Sequence, residues 1–159
     1  MIRLRFVDSS DVVSRIIKMG ELGIPFQHVE AVTPDGRYLG AHMQGGVMAR
    51  HVGYDAGSFS RELFVDLPAS DAASAAFYAF LGAQIGKPYD NEAILTLAEG
   101  FATDRAPSLP ETTAAWICSA LQIAALIAGG LARSAPQSIR LTTPRDVLAI
   151  AGALAMVPT

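Results

Sequence analysis

The character of the chain changes near Pro68. Before it, short segments rich in strand-forming residues are separated by turn signals, among them residues 33–36 (TPDG) and the Gly45-Gly46 pair. After it, Ala-rich and apolar segments repeat at helical spacing. Strands in one half and helices in the other predict an α+β fold with an antiparallel sheet, and not a doubly wound sheet. The length of 159 residues is typical of one domain, so we expect a single domain over residues 1–159.

The predicted elements follow from periodicity, caps and breakers. Arg3 and Arg5 alternate with apolar residues, which indicates a half-buried strand. Ser70 precedes an Ala-rich segment that ends at residues 86–88, which is typical of a capped helix. The complete set comprises strands at 2–6, 26–32, 37–43, 47–52 and 62–67 and helices at 12–17, 71–85, 91–101, 116–131 and 144–154.

Composition excludes several classes of protein. A hydrophobic content of 51% predicts a buried core, and a net charge of -3 without a run of Lys or Arg argues against nucleic-acid binding. The single Cys118 excludes an internal disulfide or a multi-cysteine zinc module. The first residues lack the pattern of a signal peptide, and the apolar run at 114–131 is marginal for a bilayer. We therefore expect a cytoplasmic protein without an integral membrane segment.

Few side chains are available for catalysis. A thiolate at Cys118 would be a nucleophile, although a lone cysteine in an apolar helix is more often a buried hydrophobe. His28 and His42 flank the predicted turn at 33–36, so a hairpin would bring them close together. His51 is most simply a surface residue. A cysteine at a helix start, a histidine on a strand and a polar residue on the next strand are the parts of a thiol triad.

Four segments resemble one known family. They are residues 24–30 (IPFQHVE) with the following turn and residues 45–47 (GGV), residues 85–90 (IGKPYD), residues 116–121 (WICSAL), and residues 142–147 (TTPRDV). In this order they are similar to the circularly permuted papain-like cysteine amidases, the YaeF/YiiX group, which are related to the NlpC-type cell-wall peptidases. The resemblance implies a permuted papain-like domain.

The resemblance also implies roles for individual residues. Cys118 corresponds to the nucleophile, His28 to the base, and Tyr89 to a position that lines the substrate site. Relatives often have Glu on the strand after the histidine, whereas this chain offers His42 there. We take His42 as the third member, because a neutral imidazole can accept from the ring N–H of His28, and we hold Glu30 in reserve, since it shares a strand face with His28 at a poor angle for that bond.

The expected activity is the hydrolysis of an amide through an acyl-enzyme on Cys118, without metal or cofactor. The substrate would be a small molecule, a peptide, a cell-wall peptide or a lipid amide, and residues 54–60 and 103–113 would border its pocket. Three alternatives stay open: a catalytically idle papain-like module, an acyltransferase acting on lipid esters, and a zinc site formed by His28, His42 and Cys118. The oligomeric state is not predicted.

Overall fold

The computed structural model describes residues 1–9, 26–103, 105–136 and 138–156, and confirms the α+β class. Within these ranges, five strands precede four α-helices and one 3-10 turn. The strands are β1 (Ile2–Ser9), β2 (His28–Val32), β3 (Tyr38–His42), β4 (Gly46–Arg50) and β5 (Phe59–Leu67). The helices are α1 (Asp71–Gln84), α2 (Asn91–Thr103), α3 (Cys118–Ala128) and α4 (Pro144–Ala155), with the 3-10 turn at Ile139–Leu141 before α4. The helix predicted at 12–17 lies outside the described residues.

All five strands form one antiparallel sheet in the order β4-β3-β2-β1-β5. The turn predicted at 33–36 joins β2 to β3 and is closed by a 2.8 Å bond from the N–H of Gly36 to the carbonyl of Thr33. β1 and β5 are both longer than predicted, because they pair along their whole length from Ile2↔Leu67 to Ser9↔Phe59. The loop expected at 54–60 therefore ends where β5 begins.

The two faces of the sheet are buried in different ways. One face is apolar, and α3 packs on it across β2 and β3. The side chains that form this core layer of the sheet are fully buried, and include Leu4, Phe6, Val29, Ala31 and Ala41. The opposite face carries Arg5 and Glu30, which are cross-strand neighbours and are also buried. Turns at residues 51–58 contribute Tyr54 and Asp55 to this polar face.

The start of α3 is fixed to the sheet through an intervening segment. Lys87 pairs with the outer edge of β4, since its carbonyl accepts from the N–H of Val47 at 2.9 Å. The next residues pair with Trp116, whose N–H donates to Pro88 at 3.1 Å and whose carbonyl accepts from Asp90 at 3.1 Å. These bonds hold Trp116 extended, so the predicted helix at 116–131 begins only at Cys118.

The same helix ends earlier than predicted because of its glycine pair. Gly130 has a positive φ of 70°, and its N–H donates to Ile127 while the N–H of Leu131 donates to Leu126, both at 2.9 Å. This pair of bonds is a Schellman ending, which stops the helix at Ala128. No helix within the described residues is both long and apolar enough to cross a bilayer.

Candidate active site

Cys118 is the first residue of α3, and the helix points this end at the beginning of β2. The thiol donates to the carbonyl oxygen of Gln27 at 3.9 Å, and the ring of the next residue, His28, is its main electrostatic partner. Backbone N–H groups of Val29 and Ser119 also favour the thiolate. The structure therefore brings the predicted nucleophile and the predicted base together, although they lie far apart in the sequence.

This contact changes the protonation of both groups. Burial alone raises the pKa of the Cys118 thiol, but the bond and charge of His28 outweigh burial and lower that pKa below its ordinary value. Burial lowers the pKa of His28, but Cys118 and then Glu30 outweigh it and raise that pKa to about 10. The two opposite shifts favour a thiolate paired with an imidazolium.

Glu30 is the acidic group of the site. It is fully buried, and its Oε2 lies 3.5 Å from Nε2 of His28 and 3.7 Å from Nε2 of His42. Burial raises its pKa, but His28, Arg5 and His42 together lower it, so the carboxylate is ionised. Sequence reasoning held this residue in reserve because of the angle. The carboxylate is close enough to His28 for an ion pair, but within the described residues Nε2 of His28 makes no hydrogen bond.

His42 lies beside His28, as the hairpin predicted. The ring centroids are 4.9 Å apart and the planes are inclined by 39°. Burial and the neighbouring His28 lower the pKa of His42 to about 3, so this imidazole is neutral. Its Nε2 is buried and, among the described groups, has no hydrogen-bond partner. The expected bond between the two rings through these nitrogens is therefore not formed.

Arg5 anchors the carboxylate from the other side. Its guanidinium donates to Oε1 of Glu30 at 2.5 Å and also to the carboxylates of Asp55 and Glu62. It stacks on the rings of Tyr38 and Phe59, at 4.3 and 5.1 Å from their centroids. Sequence reasoning missed this residue, because Arg5 follows the same alternation as the exposed Arg3. The signal that distinguishes them is the cross-strand partner, which is Glu30 for Arg5 and Val32 for Arg3.

The predicted pocket borders differ in their relation to the site. Tyr54 lies in the turns after β4, where its hydroxyl is 3.3 Å from Oε2 of Glu30 and its ring meets the edge of His42. The second border, around residues 111–113, instead lines a groove of ≈ 660 Å³ together with Trp116 and Ile127. Tyr89 is half-buried against the core, and its backbone pairs with Trp116. His51 is exposed, as predicted.

Three of the site's side chains form a group with the chemistry of metal ligands. One nitrogen each of His28 and His42 and one oxygen of Glu30 lie within 4.8 Å of one another. This group contains Glu30 where the zinc alternative from the sequence had Cys118.

No model of a known protein family matches the chain. No curated protein sequence matches it either.

Proposed function

We propose that the protein is a thiol hydrolase that cleaves an amide bond through an acyl-enzyme on Cys118, on a permuted papain-like fold. One observation carries the proposal: the thiol lies at the N-terminus of a buried helix and contacts His28, whose other side faces the buried carboxylate of Glu30. Such a nucleophile, base and orienting group are the parts of covalent acyl transfer.

The reaction begins with the attack of the Cys118 thiolate on the carbonyl carbon, which forms a carbon–sulfur bond. The N-terminal amides of α3 are suited to stabilise the resulting oxyanion, because Ile117 gives this helix no side-chain cap among the described residues. His28 then transfers its proton to the leaving amine as the carbon–nitrogen bond breaks. Water, deprotonated by His28, hydrolyses the thioester and restores the thiol.

The group that orients His28 is assigned to Glu30 in this proposal. Nε2 of His28 lies 3.5 Å from its carboxylate, and Arg5 fixes that carboxylate from behind. His42, which the sequence favoured, supports the site differently: its neutral ring packs beside His28 and lies 3.7 Å from Glu30. We expect His42→Gln to reduce the rate of amide hydrolysis less than Glu30→Gln does.

The substrate is assigned only as a class. An amide of a peptide, cell-wall peptide or lipid is consistent with the resemblance in sequence, and Tyr89 is retained as a proposed substrate-binding residue. An acyltransferase would share the first half of the reaction and differ in the group that accepts the acyl chain.

The test is alkylation of Cys118 by iodoacetamide at neutral pH in the presence of a chelator. The wild-type thiol should react faster than an ordinary cysteine, whose pKa of about 8.5 leaves a small thiolate fraction at pH 7. Cys118→Ala should lose all labelling, because the chain has no other cysteine. His28→Gln should slow labelling to the ordinary rate. Equal rates in wild type and His28→Gln would exclude the mechanism.

One observation favours a second candidate, an idle module that keeps the fold without the reaction. Cys118 is only 4% exposed, so a substrate has little direct access to the sulfur. A protein whose folded state resists iodoacetamide at Cys118 while the unfolded chain reacts would belong to this class.

A further inference from the structure

We propose that His28, Glu30 and His42 form a binding site for a divalent ion of the zinc class. The proposal rests on geometry and does not depend on the thiol reaction of the proposed function.

Two histidine nitrogens point toward the same carboxylate oxygen. Nε2 of His28 and Nε2 of His42 are both buried and make no hydrogen bond among the described residues. Both approach the same atom, Oε2 of Glu30, at 3.5 and 3.7 Å. A protonated His28 forms an ion pair with this oxygen, whereas the neutral ring of His42 leaves a buried nitrogen without a partner. Buried polar atoms are rarely left in this state, and a shared cation would give both nitrogens a partner.

The spacing fits a transition metal. Zinc bonds of about 2.0–2.1 Å arranged as a tetrahedron place neighbouring ligand atoms roughly 3.3 Å apart. Two of the separations, 3.5 and 3.7 Å, are close to this value, and all three ligand atoms lie within 4.8 Å of one another, so the two histidine rings would draw together around the ion. Two imidazoles and one carboxylate suit zinc and its neighbours better than calcium or magnesium, which prefer all-oxygen ligands.

The surroundings prepare the carboxylate. Arg5 binds Oε1 of Glu30 at 2.5 Å, while Oε2 accepts from the Tyr54 hydroxyl at 3.3 Å and faces the two histidines. The same guanidinium is also shared with Asp55 and Glu62. Three carboxylates therefore meet the guanidinium and the His28 ring, and a divalent cation that displaces the proton of His28 would raise the positive charge that faces them. Outer-shell partners of this type orient a metal-binding carboxylate.

Binding is tested by titrating Zn²⁺ into the full chain after chelator treatment, followed by calorimetry. One ion should bind wild type and Cys118→Ala with equal affinity. His42→Gln should bind about 100-fold more weakly or worse, since even the loss of an outer-shell partner costs about 10- to 100-fold. His51→Gln, an exposed histidine, is the matched control and should bind like wild type. Circular dichroism checks that each variant is folded. If His42→Gln does not fold, His28→Gln replaces it in the titration.

Co²⁺ identifies the ligands spectroscopically. The loaded protein should show d–d bands without a thiolate charge-transfer band. Such a band, or the loss of binding in Cys118→Ala, would replace this site with one that includes the sulfur and overturn the proposal. Unchanged affinity in both His42→Gln and His28→Gln would overturn it as well.

Metal binding without a reactive thiol would overturn the proposed function and leave the ion site standing. A reactive thiol without metal binding would do the reverse.

Discussion

Arg3 and Arg5 are two residues apart on β1, and both pair with carboxylates, but they differ in exposure to solvent. The Arg3 side chain is 50% exposed and pairs with the exposed Asp66. The Arg5 side chain is 1% exposed and neutralises Glu30, which is completely buried. An exposed ion pair contributes little because water screens it, whereas a buried charge without its partner is costly. The two arginines therefore form a matched pair for measurement.

Arg5→Met is expected to lower the free energy of unfolding by about 3–5 kcal/mol, because it removes the guanidinium that binds the buried carboxylate of Glu30. Arg3→Met, the control on the same strand, should change it by about 1 kcal/mol or less. Urea unfolding followed by fluorescence measures both. Similar losses in the two variants would show that the buried network has no special role in stability.

The site was only partly predictable at this scale. Cys118, His28 and His42 could be identified because their residue types are rare in the chain and because the turn at 33–36 fixes the hairpin. The burial of Arg5 could not be predicted, because it depends on turns at residues 51–58 that pack over the sheet from elsewhere in the chain. The same turns supply Tyr54, which the expected pocket border at 54–60 includes, although the sequence does not indicate its contact with Glu30.

At the scale of elements, the β2–β3 pair creates the room for Glu30. Gly40 lies beside Glu30 on the next strand, and a Cβ built on Gly40 would be 2.9 Å from Cβ of Glu30. That distance is too short for two carbon atoms, and neither backbone can move without breaking the sheet pairing. The glycine is therefore a steric requirement of the buried carboxylate, and not of a turn.

Gly40→Ala is expected to destabilise the protein by about 1–3 kcal/mol, as is usual for overpacking. Gly82→Ala is the control, since Gly82 lies in α1 with nothing within 4 Å of its added Cβ. It should stabilise by about 0.5–1 kcal/mol through helix propensity. Thermal unfolding of both variants gives the opposite signs directly. A neutral Gly40→Ala would mean that Glu30 can shift freely.

Element types were predicted better than element ends. Strands and helices followed from periodicity and caps, as in α4, where the capping box between Thr143 and Asp146 confirms the predicted start at Pro144. The start of α3 was misplaced because the backbone of Trp116 is held by Pro88 and Asp90, and a local pattern cannot report such distant bonds.

For the whole molecule, a second buried ion pair joins distant segments. Asp90 caps α2 through the N–H of Ala93 at 3.0 Å and accepts two bonds from Arg140, at 2.6 and 3.0 Å. Arg140 belongs to the 3-10 turn, and its Nη1 also donates to the carbonyl of Pro110. The pair therefore connects three stretches of the helical half.

This pair makes stability depend on pH in the acid range. Burial raises the pKa of Asp90, but Arg140 outweighs it and lowers the pKa below the ordinary 3.8. A lowered pKa contributes stability above the unfolded value, and that contribution is lost as the pH falls through the folded value. The free energy of unfolding of wild type should therefore decrease between about pH 5 and pH 2.

Asp90→Asn isolates the charge, because asparagine remains a good N-cap. The variant should be less stable than wild type at neutral pH, and the difference should shrink on acidification. Denaturant titrations across that pH range measure both curves. Parallel curves for the two proteins would assign the acid sensitivity to other carboxylates.

The contact between Cys118 and the beginning of β2 spans 91 positions of the chain. A ribosome releases the sheet half first, so the imidazoles are outside the tunnel before the sulfur has been translated. The thiol acquires its partner only when the second half has folded back on the first. Two separately expressed halves are therefore expected to bring the sulfur and the imidazole together only when they recombine.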